Sequence, residues 1–172
     1  MLEFQFRDAL EEDFSAIKRL NDKFVHFTSP MDLPRIQQLD ELSCYHRVIE
    51  QHDHQTSTTS IVGFLLAMAP EADYASENYQ WFDQRYKNFV YVDRIVVDSS
   101  LQGRGLGKDL YNDLFRAAKE QGFSSICCEY NLKPVNFASA HFHHSFGFCQ
   151  VGSLQSEDGS KVVSMQMAEL TS

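Results

Sequence analysis

The sequence predicts an α/β fold, a mixed α+β sheet with parallel and antiparallel strands flanked by helices. Three observations predict it. The stretch FVYVDRIVVDSSLQGRGLGKDLYND, residues 89–113, runs from an apolar strand through a glycine-rich turn into a helical pattern, and strand-helix-strand units imply parallel neighbours. Alternating segments on both sides of it, joined by polar turns, imply hairpins and hence antiparallel pairs. With 172 residues, 43% hydrophobic and 13% aromatic, the chain is long and apolar enough for one domain, 1–172, with a real core.

Taken in order, Phe4 to Arg7 alternates and reads as a first strand. Phe14, Ile17, Leu20, Asn21 and Phe24 recur at helical spacing, with Glu11, Glu12 and Asp13 suited to the positive end of that helix. Thr28 to Pro34 breaks it, and a shorter helix follows over Arg35 to Leu42. Cys44 to Gln51 and Ile61 to Ala69 form a hairpin, its tip the polar stretch His52 to Ser60, with Gly63 marking a bulge. Pro70 to Asn88 is a long aromatic loop or an inserted short helix. After the central unit, Phe123 to Tyr130 is a strand and Phe137 to Phe146 a helix capped by Asn136 and ended by Gly147. Phe148 to Leu154 and Lys161 to Leu170 close the chain as a hairpin. The expected order is β-α-α-β-β-β-α-β-α-β-β.

Net charge is −9 with a pI near 5.1, which argues against nucleic acid and anionic membranes as partners. An acidic surface suits a cationic substrate such as an amine. No run reaches the ~18 apolar residues a membrane span needs. The first residues, Met1-Leu2-Glu3, carry neither the basic nor the apolar region of a secretory signal. The four cysteines, Cys44, Cys127, Cys128 and Cys149, form no C-x-x-C and read as reduced thiols of a cytoplasmic protein.

Glycine spacing then tests what the central turn binds. A P-loop needs a glycine at position 102 and Ser or Thr after Lys108, where Gln102 and Asp109 stand. The dinucleotide fingerprint needs G-x-G-x-x-G, whereas Gly103, Gly105 and Gly107 give G-x-G-x-G. What remains, Q-G-R-G-L-G after an apolar strand, resembles the acyl-CoA pyrophosphate loop of the GNAT superfamily of N-acetyltransferases, with Gln102, Gly105 and Gly107 in its [QR]-x-x-G-x-[GA] pattern. A second motif agrees: Asn136-x-x-Ser139-x-x-Phe142-His143-x-x-x-Gly147-Phe148 resembles the family's N-x-x-A-x-x-[LF]-Y-x-x-x-G-F helix, with His143 in place of the usual tyrosine. The span NYQWFDQRY…YVDRIVV, residues 78–86 and 91–97, resembles that of a little-characterised bacterial branch.

The resemblance implies acetyl transfer from acetyl-CoA to a primary amine of a small molecule or peptide, by direct attack in a ternary complex. It implies that Gly103 to Lys108 (Gly103, Arg104, Gly105, Leu106, Gly107, Lys108), together with Gln102, hold the pyrophosphate, that Ile95, Val96 and Val97 pair with the pantetheine arm, and that Asn136 and Ser139 flank the cofactor. Glu129 and Asp93, carboxylates within apolar strands, are the candidate bases, with a structural ion pair of Asp93 with Arg94 or Arg47 as the alternative. His143 is the candidate acid, with Tyr130 and Tyr111 as alternative phenols. Tyr79, Trp81 and Tyr86 are candidate substrate walls. His52 and His54 sit in a polar turn with no acidic or Cys partner beyond Asp53. His141 and His143 point roughly 200° apart on a helix, although His141 and His144 could share a face. No metal is therefore expected. A homodimer through the C-terminal hairpin edge is compatible with the pattern. The competing reading is a non-enzymatic acyl-CoA-binding module, which needs the glycine loop but neither a base nor an acid.

Overall fold

The computed structural model describes residues 2–26 and 28–171. Its strands order as β1-β2-β3-β4-β5-β7-β6. The chain forms two compact units, one drawn from residues up to Met68 with Asp93–Leu114, the other from Ala69–Val92 with residues from Phe115 onward. Strand β4, Phe89–Val97, gives its second half to the first unit and its first half to the second.

In the first unit, β1 (Leu2–Asp8) pairs antiparallel with β2 (Tyr45–Asp53), and β2 with β3 (Thr58–Met68). Helix α1, Phe14–Lys23, buries Phe14, Ile17, Leu20 and Asn21, the stripe its spacing predicts. Helix α2, Leu33–Leu42, starts two residues before its expected Arg35. Asp32 caps it through the Arg35 amide at 2.9 Å, and Pro34 is tolerated in a first turn that has no intrahelical acceptor to lose. The β2–β3 ladder continues through His52↔Thr59 and Asp53↔Thr58, so the polar hairpin tip is shorter than its composition suggests. Backbone pairing does not depend on the polarity of side chains that face water. The register shifts between Ile49, opposite Gly63, and Glu50, opposite Ile61. A Cβ on Gly63 would lie 2.7 Å from Ile49 Cδ1 and 3.0 Å from the Val96 carbonyl, so Gly63 lets β3 pass that close to β4.

In the second unit, the aromatic stretch holds a helix, α3, Glu77–Asp83, capped by the Ser76 hydroxyl, which adds one helix between the third and fourth strands to the expected order. Strand β5, Ser125–Lys133, runs parallel to β4 over Phe89↔Ser125, Val90↔Ile126 and Tyr91↔Cys127. Its other edge pairs antiparallel with β7, Val162–Glu169, which pairs in turn with β6, Cys149–Gln155. Helix α5, Phe137–His144, is capped by Asn136, whose Oδ1 accepts from the Ser139 amide at 3.1 Å. Helix α4, Leu106–Glu120, begins in the first unit and ends in the second. The motifs singled out in the sequence thus lie on the predicted kinds of element.

Candidate active site

The glycine turn of the first unit is held at both ends and open in the middle. Leu101 and Leu106 are buried, whereas Gln102, Gly103, Arg104 and Gly105 are exposed. Asp98 fastens the entry. Its amide donates to the Val62 carbonyl at 2.8 Å, and its carboxylate accepts from Lys23 Nζ at 2.7 Å and from the Ser100 amide and hydroxyl at 3.0 and 2.7 Å. The Lys23 ammonium, followed by the Ser100 donors, holds the Asp98 carboxyl down to about 2. Gly103 and Gly105 sit at φ of +82° and +84°, a left-handed conformation that costs an L side chain ~1–2 kcal/mol. A Cβ on either would meet nothing within 4 Å. The backbone conformation therefore demands glycine, and the space before it is clear. The first amides of α4 have no acceptor in their own helix, and they carry its positive end. A glycine-lined turn leading into a helix N-terminus fits a pyrophosphate. Arg104 and Lys108 are exposed beside it, Gly107 is half-buried, and Ile95, Val96 and Val97 alternate half-buried, buried, half-buried along β4.

Asp93 and Arg94, also in the first unit, form an ion pair, Arg94 Nε to Asp93 Oδ2 at 2.7 Å, with both side chains about nine-tenths or more buried. Arg94 also donates to Asn21 Oδ1 at 3.0 Å, the Ser29 carbonyl at 2.9 Å and Ser29 Oγ at 3.0 Å. The Asp93–Arg94 pair is thus the ion pair weighed as the structural alternative. Arg47 instead bonds Asp8 and Asp113.

Glu129, in the second unit, has a different environment. It is half-buried, two residues past the last parallel pair of β4 with β5. Its Oε1 accepts from Asn78 Nδ2 at 2.8 Å and from the Tyr91 hydroxyl at 3.1 Å. Asn78 comes from α3 and Tyr91 from β4. Neither stood out in the sequence: the Asn78 bond spans 51 residues, and the one local signal was the S-x-x cap that starts α3 at Ser76.

His143 is buried, at 5% exposure, while His141 and His144 on the same helix are exposed. Its Nδ1 lies 2.7 Å from the Ser139 carbonyl, an acceptor, so Nδ1 carries the hydrogen. Burial pushes its pKa down, against the Ser139 bond that raises it. The ring stacks on Tyr130 at 5.9 Å and 25°. The Tyr130 oxygen accepts from Gln166 Nε2 at 3.3 Å, because an amide NH₂ can only donate. Asn136 and Ser139 are both engaged at the start of α5, Asn136 as its cap and Ser139 Oγ 3.2 Å from His143 Nδ1.

Of the three aromatic candidates, Tyr79 is a core residue at 1% exposure. Its hydroxyl donates to the Ala69 carbonyl and accepts from the Ala72 amide, both at 2.8 Å. Trp81 is half-buried on Gly152, where a Cβ would stand 2.4 Å from its ring, and the Arg85 guanidinium lies 4.3 Å from its centroid. Tyr86 packs on Trp81 and Phe82. Among the described residues no cluster of three or more His, Cys, Asp or Glu could hold a metal, and no helix is long and apolar enough to cross a membrane.

Residues 6–148 match the family model for the acetyltransferase (GNAT) family. No curated protein sequence matches the chain significantly. Among solved structures, Ard1 from Thermoplasma volcanium superposes with a TM-score of 0.75 at 17% identity, over 98% of this chain and 99% of that one. The ribosomal-protein-S18-alanine N-acetyltransferase of Escherichia coli superposes with 0.70 at 13%, over 99% and 96%. YncA of Salmonella typhimurium, solved with its cofactor acetyl-CoA, superposes with 0.69 at 18%, over 99% and 95%. At such identities the likeness carries the fold, and the family match carries the chemistry.

Proposed function

Because the chain belongs to the GNAT acetyltransferase family, and is therefore an acyl-CoA-dependent N-acetyltransferase, we propose that it passes the acetyl group of acetyl-CoA directly to a primary amine of a small molecule or peptide, with Glu129 as the base. The observation that carries the donor half is the glycine turn, whose two positive-φ glycines face open space at the start of α4. In this reading the amides from Gly103 to Lys108 hold the pyrophosphate, Arg104 and Lys108 add charge at its rim, and the backbone of Ile95 to Val97 pairs with the pantetheine arm as an added strand.

The acceptor's ammonium proton is first lost to solvent, and the neutral amine nitrogen then attacks the thioester carbon. The N–C bond forms, the C–S bond breaks, and the nitrogen gives its extra proton to the Glu129 carboxylate. An amide near Ile95 or Val96 supports the thioester oxygen. The thiolate of CoA takes a proton from the Tyr130 phenol, which is reprotonated from solvent. The geometry favours Tyr130 over His143 for this step. His143 is held neutral by burial, and its one hydrogen is committed to the Ser139 carbonyl. His143 then acts as the flat support of the Tyr130 ring. Asp93 gives way to Glu129 as base because Arg94 already neutralises it. The net charge of −9 and the exposed Glu71, Asp73 and Glu77 suit a cationic amine.

Calorimetry with acetyl-CoA at tens of micromolar protein, a concentration that registers even micromolar affinity, tests the donor half. Gly105→Val is expected to abolish binding, since it forces a β-branched residue to positive φ and fills the space in front of the turn. Undiminished affinity in that variant would place the donor elsewhere. A thiol-release screen of amines, polyamines, aminoglycosides and peptide N-termini then identifies the acceptor.

A further inference from the structure

We infer that Asn78 and Tyr91 are positioning residues that aim the Glu129 carboxylate and keep it ionised, so that helix α3 is part of the catalytic apparatus. The inference rests on the reading of Glu129 as the base. Both donors converge on one oxygen, Asn78 Nδ2 at 2.8 Å and Tyr91 Oη at 3.1 Å from Oε1. A carboxylate can only accept, so Asn78 presents its NH₂ and Tyr91 its hydrogen. Two donors on Oε1 fix the plane of the carboxylate and favour its charged form. Oε2 is buried, so the amine's proton reaches it through an intervening water, without breaking either bond.

The construction is more specific than a buried acid finding partners. Tyr91 pairs with Cys127 in the parallel register. Side chains of paired residues share a face, and residue i+2 lies on that face again, so the tyrosine hydroxyl reaches along β5 to Glu129. Asn78 reaches the same oxygen from α3, where Ser76 caps the first turn. The next residue, Tyr79, ties that turn to the backbone of Ala69 and Ala72. The Tyr79 ring also stands edge-on to Tyr91, at 5.5 Å and 71°. One buried tyrosine thus braces both donors. Around Glu129, β4 contributes Tyr91, β5 contributes Cys127, which shares an electrostatic interaction with it, and β7 faces it with Met165. Both donors on Oε1 are neutral, where Asp93 is met by an arginine.

The test uses the full-length protein labelled with ¹³C at glutamate carboxyls. The resonance missing from Glu129→Gln belongs to Glu129 and is followed against pH in the wild type, in Tyr91→Phe and in Asn78→Leu, which keeps the side-chain volume. Each loss of a donor is expected to raise the proton affinity of Glu129 by about tenfold or more, the scale of a hydrogen bond to a charged group. Tyr91→Phe removes a single oxygen and guards against a folding failure at Asn78. A titration midpoint unmoved in both variants overturns the inference, since packing alone would not hold it in place. With the best amine from the screen, thiol release from acetyl-CoA should fall in kcat with KM little changed. Asn78→Leu should add no further loss in a Glu129→Gln background. If Glu129→Gln turns over normally while the midpoints move, the base assignment fails and the positioning of the carboxylate stands. If Glu129→Gln is inactive while the midpoints stay fixed, the reverse holds.

Discussion

Asp93 and Glu129 are both carboxylates set into apolar strands, and they are stabilised in opposite ways. Asp93 is closed by a cation, with Arg94 pinned on its far side by Asn21 and Ser29. Glu129 is held by two neutral donors, an amide and a phenol. A buried ion pair is electrically complete, and protonating its carboxylate would strand the arginine. A carboxylate held by neutral donors keeps its charge yet strands no cation when it takes a proton. Both arrangements answer the cost of burying a charge, but the second leaves a group that can cycle between protonation states.

Turnover gives the largest expected effect. Glu129→Gln should lower kcat by about 10²–10⁴-fold, the usual contribution of a general base, with little change in stability. Asp93→Asn should leave kcat within a few-fold once corrected for the folded fraction. A kcat that collapses in Asp93→Asn and survives in Glu129→Gln would invert the comparison.

Stability should separate the same two regions in the other direction. Arg94→Leu leaves Asp93 buried without its cation and is expected to cost about 3–5 kcal/mol, read from the urea midpoint. Tyr91→Phe removes one neutral donor and should cost about 1–3 kcal/mol. Equal losses would mean that the Glu129 site is as much a structural clasp as the Asp93 pair.

How far the sequence disclosed this contrast follows from the range of each interaction. The Asp93–Arg94 pair joins adjacent residues, and it was legible as an alternative because of that. Gly103 and Gly105 were legible because a backbone conformation writes itself into residue choice at the position concerned. The succession of strands along the chain and α5 followed from periodicity and the Asn136 cap, whereas α3 stayed open between a loop and a short helix. Asn78 was not legible: its partner lies 51 residues away, and an asparagine in a polar, aromatic-rich stretch looks like solvent-facing surface. Tyr79 and Trp81 read as walls for a ligand because exposed aromatics and core aromatics share one composition. The contacts of Tyr79 with Ala69 and Ala72 place it in the core, while Trp81 and Tyr86 are half-buried. His143 carried the same ambiguity, since its exposed neighbours His141 and His144 hide the fact that the helix turns it inward.

Mild acid gives the smallest expected effect, and it bears on the second region through His143. Arg94 keeps its charge over the whole accessible range. His143, by contrast, is buried neutral beside Tyr130, and burial depresses its pKa from 6.5. In the unfolded chain it would titrate near 6.5. Between that value and its lower folded one, the unfolded state therefore binds more protons, and stability must rise with pH in that window. The stabilisation is complete above about pH 6.5 and is lost as pH falls from there towards the folded pKa, at no more than about 1.4 kcal/mol per pH unit for one histidine. His46 in the first unit contributes with the same sign, its pKa depressed first of all by burial and partly restored by Asp40 at 2.6 Å. Urea midpoints measured from pH 7.5 to 5.5 should thus decline, and His143→Gln should flatten the decline without abolishing it, leaving the His46 share. An unchanged slope in that variant would show that His143 accepts a proton in the folded state as readily as in water. That result would return to it the role of acid here given to Tyr130.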